Sequence, residues 1–241
     1  MSVYRYEYRI LSSDTDANRR LRISRLFTML QEASIAHTTE LGMGREKTLD
    51  RGLLWIVTLQ QARITRLPAY DEPILLRSWP GKTMHLLFPR YYRMEDKKGN
   101  ALVEASALWA LMDEKTRRVV FPESYGVKIR GVHTGKEIPL PAAPRMPKGG
   151  ETDVFTVPYS YVDLNGHMNN TRYFDLAEDR MPKELHAKKL VGVQTEYAKE
   201  AREGDGILLS SEATADGYLL SGEQNGAKLF RLALTYAPDE A

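Results

Sequence analysis

The sequence predicts an α+β fold in which two tandem units each combine one long helix with an antiparallel sheet. A strand-like segment, a polar turn and a helical segment open the chain, and the same order returns after residue 152. Each opening is followed by strand-like segments joined by short turns, and a segment rich in proline and glycine separates the two copies. Two such copies in one chain predict two sheets that lie edge to edge, as in a dimer of related subunits.

The first copy contains one helix and five strand-like segments. Apolar residues alternate over residues 4–10, which predicts a half-buried strand, and the polar residues 12–18 predict a turn. Apolar residues then recur at helical spacing over residues 23–41, and Gly42 is a favourable helix end. The remaining predicted strands cover residues 53–67, 74–79, 86–94 and 101–112.

The second copy follows a segment with several prolines and the pair Gly149-Gly150. A strand is predicted over residues 154–161, and a helix over 172–180 is ended by Pro182. Further strands are predicted over residues 190–200, 207–213, 218–224 and 228–236. We therefore predict an N-terminal domain over residues 1–130, a linker over 131–152 and a C-terminal domain over 153–241.

The two openings also match residue by residue at a constant offset. The matched pairs are Asp16 with Asp163, Asn18 with Asn165, Arg20 with His167, Ser24 with Thr171, Phe27 with Phe174 and Gln31 with Glu178. The first copy thus lacks the imidazole of His167, and it also lacks the paired Asn169-Asn170. We expect the chemistry to lie mainly in the second copy.

The composition excludes several classes of function. The net charge of +2 is too small to indicate a nucleic-acid partner. Cysteine is absent, which excludes disulfides, Cys-ligated zinc and a cysteine nucleophile, and the scattered histidines form no metal motif. We therefore expect neither a metal nor a cofactor. No segment approaches the roughly 20 apolar residues of a membrane span, so we expect none. Residues 1–7 lack a signal-peptide pattern, so we expect a cytoplasmic protein.

The polar turn before the second helix carries the candidate chemistry. Asp163, Asn165, His167, Asn169 and Asn170 place a carboxylate, three amides and an imidazole within eight residues. The alternative interpretation is a turn whose asparagines cap the next helix, but a cap needs only one side chain. A second candidate is the carboxylate of Glu200, which would share one strand face with Glu196 and Ala198. The alternative interpretation is an acidic strand end in solvent.

The stretch from Val162 to Tyr173 resembles the D-x-N-x-H-x-N-N-x-x-Y signature of acyl-acyl-carrier-protein thioesterases. The segments 55–68, 105–113, 116–118 and 196–200 resemble other parts of the same family, so the resemblance covers most of the chain. It implies a double hotdog fold, in which each of two helices is wrapped by an antiparallel sheet. Carried over by position, the catalytic group of the family falls on Asp163, Asn165, His167 and Glu200. Plant members often have a cysteine after this glutamate, whereas this chain has Ala201.

The resemblance implies hydrolysis of acyl-carrier-protein thioesters, which releases a free fatty acid and the carrier protein and terminates fatty acid synthesis. Either Glu200 or His167 would activate water, Asp163 would orient its partner, and the Asn165 amide would polarise the carbonyl. The first domain would bind the acyl chain. Its candidate walls are Leu26, Phe27, Leu30, Ile35, Trp55 and Trp109.

The expected partner is an acyl carrier protein with a phosphopantetheine-linked acyl chain, and we also allow for a homodimer. Because carrier proteins are acidic, the basic clusters over residues 19–25 and 115–118 are candidate docking sites. An acyl-CoA thioesterase of the same fold and a non-catalytic acyl-binding module remain as alternatives.

Overall fold

A computed structural model describes residues 3–238 of the chain. Within that range it contains ten strands: β1 (Tyr4–Arg9), β2 (Leu53–Ile64), β3 (Pro73–Pro80), β4 (Leu87–Glu95), β5 (Ala101–Asp113), β6 (Glu151–Thr156), β7 (Leu190–Tyr197), β8 (Gly206–Thr214), β9 (Gly217–Gln224) and β10 (Ala227–Tyr236). The α-helices are α1 (Ile23–Glu40), α2 (Arg172–Arg180) and α3 (Lys183–Ala187). No helix in the described part of the chain is long and apolar enough to cross a bilayer.

All ten strands form one antiparallel sheet, in the order β1-β3-β4-β5-β2-β7-β10-β9-β8-β6. From the outer edge inward, the first half has the order β1-β3-β4-β5-β2 and the second half has the equivalent order β6-β8-β9-β10-β7. The halves join where β2 pairs with β7, with Gln61 opposite Gln194. This arrangement confirms the predicted α+β fold of two tandem hotdog units with sheets joined edge to edge.

The helices α1 and α2 contact each other, and each packs against the sheet. The apolar face of α1 is buried, and its Phe27 ring stacks on Phe174 of α2 with centroids 4.3 Å apart. Because these two residues are equivalent in the two copies, the stack marks the approximate two-fold axis that relates them. Aromatic pairs of this kind add about 0.5–1.5 kcal/mol beyond the area that they bury.

The internal repeat extends to the backbone of the two polar turns. The Asp16 N–H donates to the Arg20 carbonyl (2.8 Å), and the Asp163 N–H donates to the His167 carbonyl (3.0 Å). Arg19 and Gly166 occupy equivalent left-handed positions, with φ of 62° and 75°. Glycine adopts this conformation without strain, whereas a residue with a Cβ atom is disfavoured there.

Several element boundaries differ from the prediction. β6 covers Glu151–Thr156 rather than residues 154–161, so it begins inside the segment predicted as a linker. Pro158 has no N–H for a strand ladder, and residues 159–161 form a 3-10 turn instead. The short helix α3 was not predicted. Residues 1–2 and 239–241, which the predicted domains include, lie outside the described residues.

Candidate active site

The Asp163 carboxylate organises the turn before α2. Its Oδ1 accepts the backbone N–H of Asn165 (2.8 Å), and its Oδ2 lies 3.3 Å from the donating Nδ2 of Asn169. The Asn169 side-chain oxygen in turn accepts the backbone N–H of Thr171 (2.9 Å) just before the first residue of the helix. Asn169 therefore connects the turn to the start of α2, but it does not cap the helix, whose N-cap Thr171 has no side-chain capping bond.

The first copy has the same carboxylate and an equivalent asparagine, Asn18, but it lacks the imidazole and the paired asparagines. Asp16 Oδ1 accepts the backbone N–H of Asn18 (2.9 Å), as Asp163 does for Asn165. In place of an imidazole, the first copy has the Arg20 guanidinium, which donates to the carbonyl of His186 (2.6 Å). The comparison indicates that the aspartate shapes the turn in both copies, whereas the imidazole and the paired asparagines occur only in the second.

His167 and Glu200 meet although they come from different segments. The backbone N–H of Met168 donates to the carbonyl of Ala201 (2.7 Å), which holds the turn against the chain that leaves β7. As a result, His167 Nε2 lies 3.3 Å from Glu200 Oε2. The prediction that Glu200 shares a strand face with Glu196 is wrong, because β7 ends at Tyr197. Glu200 lies in the loop that follows.

Arg117 completes this cluster and was not predicted as a site residue. It follows β5 in the first half of the chain, and its guanidinium forms an ion pair with Glu200. Arg117 and His167 therefore both contact the same carboxylate oxygen of Glu200, Oε2. The sequence showed Arg117 only as one of three cations in a basic turn, with no sign that it faces inward.

The surroundings of His167 favour its neutral form. Burial lowers the pKa of the imidazole below its usual range, and the charges of Arg117 and Arg202 lower it further. The carboxylates of Glu200 and Asp163 act in the opposite direction. A carboxylate can only accept, so the Nε2 that faces Glu200 is the protonated nitrogen. Nδ1 is then unprotonated, and it is buried without a hydrogen-bond partner among residues 3–238.

Two hydrogen-bond donors near the cluster are available to a ligand. The Asn165 side chain is exposed, and the structure gives its amide group no hydrogen bond within the described residues. The backbone N–H of Asn170 likewise has no acceptor in that part of the chain, whereas its carbonyl accepts the hydroxyl of Tyr197 (3.0 Å). These groups can stabilise an oxyanion that forms beside the carboxylate of Glu200.

Two neighbouring cavities meet at this turn. A cavity of about 360 Å³ contains Arg117, His167 and Glu200 in its wall. A cavity of about 440 Å³ with a largely apolar wall lies between α1 and the sheet of the first half. The residues that line both are Leu54, Trp55, Asp163, Asn165 and Asn170. A long apolar group in the larger cavity can therefore extend toward the charged cluster in the smaller one.

Only part of the predicted wall and of the predicted docking surface has the expected position. Ile35, Trp55 and Trp109 line the apolar cavity. Leu26, Phe27 and Leu30 do not line it, because they are buried in the core of the protein.

In the basic cluster at residues 19–25, three of the four arginines bind groups of this chain. Arg20 donates to the carbonyl of His186, Arg22 donates to the carbonyl of Thr15, and Arg25 pairs with Asp14.

Relatives of this chain are named thioesterases. It is 26% identical over 238 residues to a chloroplastic acyl-acyl-carrier-protein hydrolase from Cuphea viscosissima, and the matched region covers 87% of this chain and 54% of the relative. It is 24% identical to a chloroplastic palmitoyl-acyl carrier protein thioesterase from Arabidopsis thaliana, and the matched region covers 88% of this chain and 55% of the relative. The chain thus spans about half the length of these relatives.

Solved structures of similar proteins have the same fold. An acyl-ACP thioesterase from Bacteroides thetaiotaomicron superposes with a TM-score of 0.85 at 20% identity, and 98% of each chain is covered. The 12:0-ACP thioesterase from Umbellularia californica gives a TM-score of 0.80 at 18% identity, also over 98% of each chain. The models of the N-terminal and C-terminal domains of acyl-ACP thioesterases match residues 1–124 and 146–235. The chain belongs to the acyl-ACP thioesterase family.

Proposed function

We propose that this protein hydrolyses acyl-acyl-carrier-protein thioesters and releases a free fatty acid and the carrier protein. The observation that carries the proposal is the position of Glu200. Its carboxylate contacts Arg117 and His167 through Oε2, in a cavity that adjoins a second, largely apolar cavity. A thioester carbonyl at the junction would place the acyl chain on the apolar side and the carrier arm on the open side.

In this mechanism Glu200 acts as the general base. Its carboxylate takes a proton from water while the water oxygen attacks the thioester carbonyl carbon. The Asn165 amide and the Asn170 N–H donate to the oxyanion of the tetrahedral intermediate. When the intermediate collapses, the carbon–sulfur bond breaks and the pantetheine thiolate leaves. The proton held by Glu200 then returns to the sulfur.

Glu200 is the better base for a geometric reason. About a third of its side chain is exposed, at 36%, and it lines the polar cavity, so a water molecule can reach it. The free nitrogen of His167, Nδ1, is buried away from solvent. We therefore assign His167 a positioning role in which Nε2–H donates to Glu200. Asp163 holds the turn that presents Asn165, and Arg117 forms an ion pair with the same Glu200 oxygen that faces His167.

In this proposal one domain binds the acyl chain and the other carries the catalytic residues. The N-terminal domain, residues 1–130, binds the acyl chain, since α1, the segment that joins it to β2, β2 itself and β4 supply most of the apolar cavity. The C-terminal domain, residues 153–241, is the catalytic domain, with the turn and Glu200. Arg117 belongs to the first domain, so the charged cluster would form only when both domains are assembled.

The proposed partner is an acyl carrier protein with its phosphopantetheine arm. Lys115 and Arg118 are exposed and flank Arg117, which lines the polar cavity, and their charges suit an acidic partner. The cluster at residues 19–25 is a weaker candidate, because three of its four side chains bind groups of this chain. The homodimer and the cytoplasmic location stay predictions.

A panel of thioesters tests this function against the two alternatives. The purified protein is mixed with acyl chains of increasing length, each attached either to acyl carrier protein or to CoA. We expect hydrolysis of the carrier-bound thioesters with a higher kcat/KM than the CoA thioesters. Equal or faster hydrolysis of CoA thioesters would identify an acyl-CoA thioesterase. Tight acyl binding without turnover would identify a non-catalytic binding module.

A further inference from the structure

The apolar cavity contains a second polar region, away from Glu200. Arg90 lies on β4 between Phe88 and Tyr92, and all three side chains point toward α1 because they alternate with the outward-facing residues of the strand. Arg90 lines the cavity, yet only 4% of the residue is exposed. A buried guanidinium in the wall of a cavity for an apolar chain requires an explanation.

Arg90 binds only neutral groups of the protein. Its Nη1 donates to His37 Nδ1 (2.9 Å) and lies 3.2 Å from Ser78 Oγ, and its Nη2 donates to Thr38 Oγ1 (3.0 Å). Because arginine has no acceptor, the Nδ1 that faces it is unprotonated. Within residues 3–238, Arg90 forms no ion pair with a carboxylate. By contrast, Arg93 on the opposite face of β4 pairs with Glu95 (2.7 Å).

This arrangement satisfies hydrogen bonds but leaves the charge of Arg90 without a counter-ion in the described part of the chain. A buried cation without a counter-ion is strongly disfavoured, and burial accordingly lowers the pKa of the Arg90 guanidinium. Neutral side chains would join α1 to the sheet without this penalty. The site therefore has the character of an anion-binding site whose anion is supplied by a ligand.

The position of Arg90 indicates which part of a ligand it would meet. Trp55 of β2 lines both cavities and so marks their junction. β4 is separated from β2 by β5, which places the two strands about 10 Å apart. A chain whose carbonyl lies at the junction thus approaches Arg90 with its far end. The carboxylate of Glu200 lines the other cavity and does not line this one.

We propose that Arg90 binds a carboxylate at the far end of the acyl chain, so that dicarboxylic acyl thioesters are substrates of this protein. The hydrolysis of such a thioester rests on the proposed function, whereas the binding of the terminal carboxylate does not. Guanidinium and carboxylate pair through two parallel hydrogen bonds, and the burial of Arg90 strengthens such a pair.

The test compares chains that differ only at the far end. Hydrolysis is measured for carrier proteins loaded with a decanoyl, an ω-hydroxydecanoyl or a sebacoyl group, the last of which ends in a carboxylate. We expect kcat/KM for sebacoyl to exceed that for decanoyl by at least about 10-fold, the lower end of the coupling found for close charge pairs. The ω-hydroxy chain should show little of this gain.

Variants of Arg90 locate the effect. Arg90→Met should lower the sebacoyl to decanoyl ratio by at least about 10-fold, and Arg90→Lys should retain part of the preference because it keeps the charge. Arg93→Met removes the same charge from the opposite face of the same strand and should leave the ratio unchanged. Thermal unfolding of each variant separates a loss of preference from a loss of folding.

A second measurement keeps the inference separate from the proposed function. Calorimetric titration of the wild-type protein with sebacic acid and decanoic acid reports on the terminal carboxylate without any hydrolysis, and needs no variant. If decanoyl thioester is hydrolysed but sebacoyl is not preferred and sebacic acid does not bind more tightly, the inference is wrong. An ω-hydroxy chain that performs as well as sebacoyl would also overturn it. If no thioester is hydrolysed, the proposed function fails and the titration alone decides about Arg90.

Discussion

Removal of the Arg117 side chain should slow hydrolysis by loosening Glu200. In Arg117→Ala the carboxylate loses its ion pair and keeps only the contact with His167 Nε2 at 3.3 Å. The carboxylate can then leave the position from which it reaches a water molecule at the thioester. Arg118→Ala is the matched control, because it removes one charge from the same turn while its exposed side chain makes no ion pair within residues 3–238.

The expected magnitude follows from the exposure of the pair. Hydrogen bonds to charged groups contribute about 1.5–3 kcal/mol. The side chains of Arg117 and Glu200 are 28% and 36% exposed, so solvent screens the pair and the lower end of that range applies. A loss of about 1.4 kcal/mol corresponds to a decrease of about 10-fold in rate.

The pH profile distinguishes this role from a general structural one. Arg117 lowers the pKa of His167, so its removal should raise that pKa. Protonated His167 would hold Glu200 in an ion pair and weaken it as a base. The acid limb of the rate profile should therefore move to higher pH in Arg117→Ala, but not in Arg118→Ala.

The assay is single-turnover hydrolysis of acyl carrier protein thioester with enzyme in excess, so that weaker docking does not limit the rate. If Arg117→Ala and Arg118→Ala lose rate equally and both profiles coincide with that of the wild type, the role of Arg117 at Glu200 is refuted.

Three other predictions concern stability and docking. Burial raises the pKa of Glu178 to about 7, so the folded state loses stability as the pH rises from the usual carboxyl range through that value. In chemical denaturation, Glu178→Gln should be more stable than the wild type by about 2 kcal/mol above pH 7 but not below the usual carboxyl range. Asp179→Asn, at an exposed position, is the control. Because the pKa of folded His167 is lowered, the unfolded chain takes up its proton first, and the wild type should lose more stability than His167→Gln as pH falls below about 6.5. The double variant Lys115→Glu and Arg118→Glu should raise KM for acyl carrier protein thioester at low salt, but not for an uncharged acyl-pantetheine thioester, and an equal effect on both substrates would contradict docking there.

The internal repeat made much of the fold predictable. Turn, helix and strand signals occur in the same order twice, and most predicted elements agree with the structure to within a few residues. The errors lie where long-range contacts decide the backbone. The N–H groups of Ala198 and Lys199 both donate to the Leu229 carbonyl, which ends the regular ladder of β7 before Glu200. A local pattern cannot show that bond, because it depends on the neighbouring strand.

The candidate site was predictable only in part, for a similar reason. The density of polar side chains around His167 is visible in the sequence, but its contact with Glu200 requires the pairing of Met168 with Ala201. Arg117 comes from the other half of the chain, and only the joined sheets bring it to the carboxylate. Arg90 was missed because the flanking residues on its strand are apolar on both faces, which hides the alternation of inward and outward positions.

The most direct test of the central claim is single-turnover hydrolysis of acyl carrier protein thioester by Glu200→Gln. The amide keeps the size of the side chain but cannot accept a proton from water. We expect the rate to fall by at least about 100-fold, while acyl binding and thermal stability stay near those of the wild type. Glu203→Gln, an exposed change in the same loop, should hydrolyse at the wild-type rate. Near-normal hydrolysis by Glu200→Gln, and likewise by His167→Ala and Asp163→Ala, would contradict the assignment of this cluster as the active site.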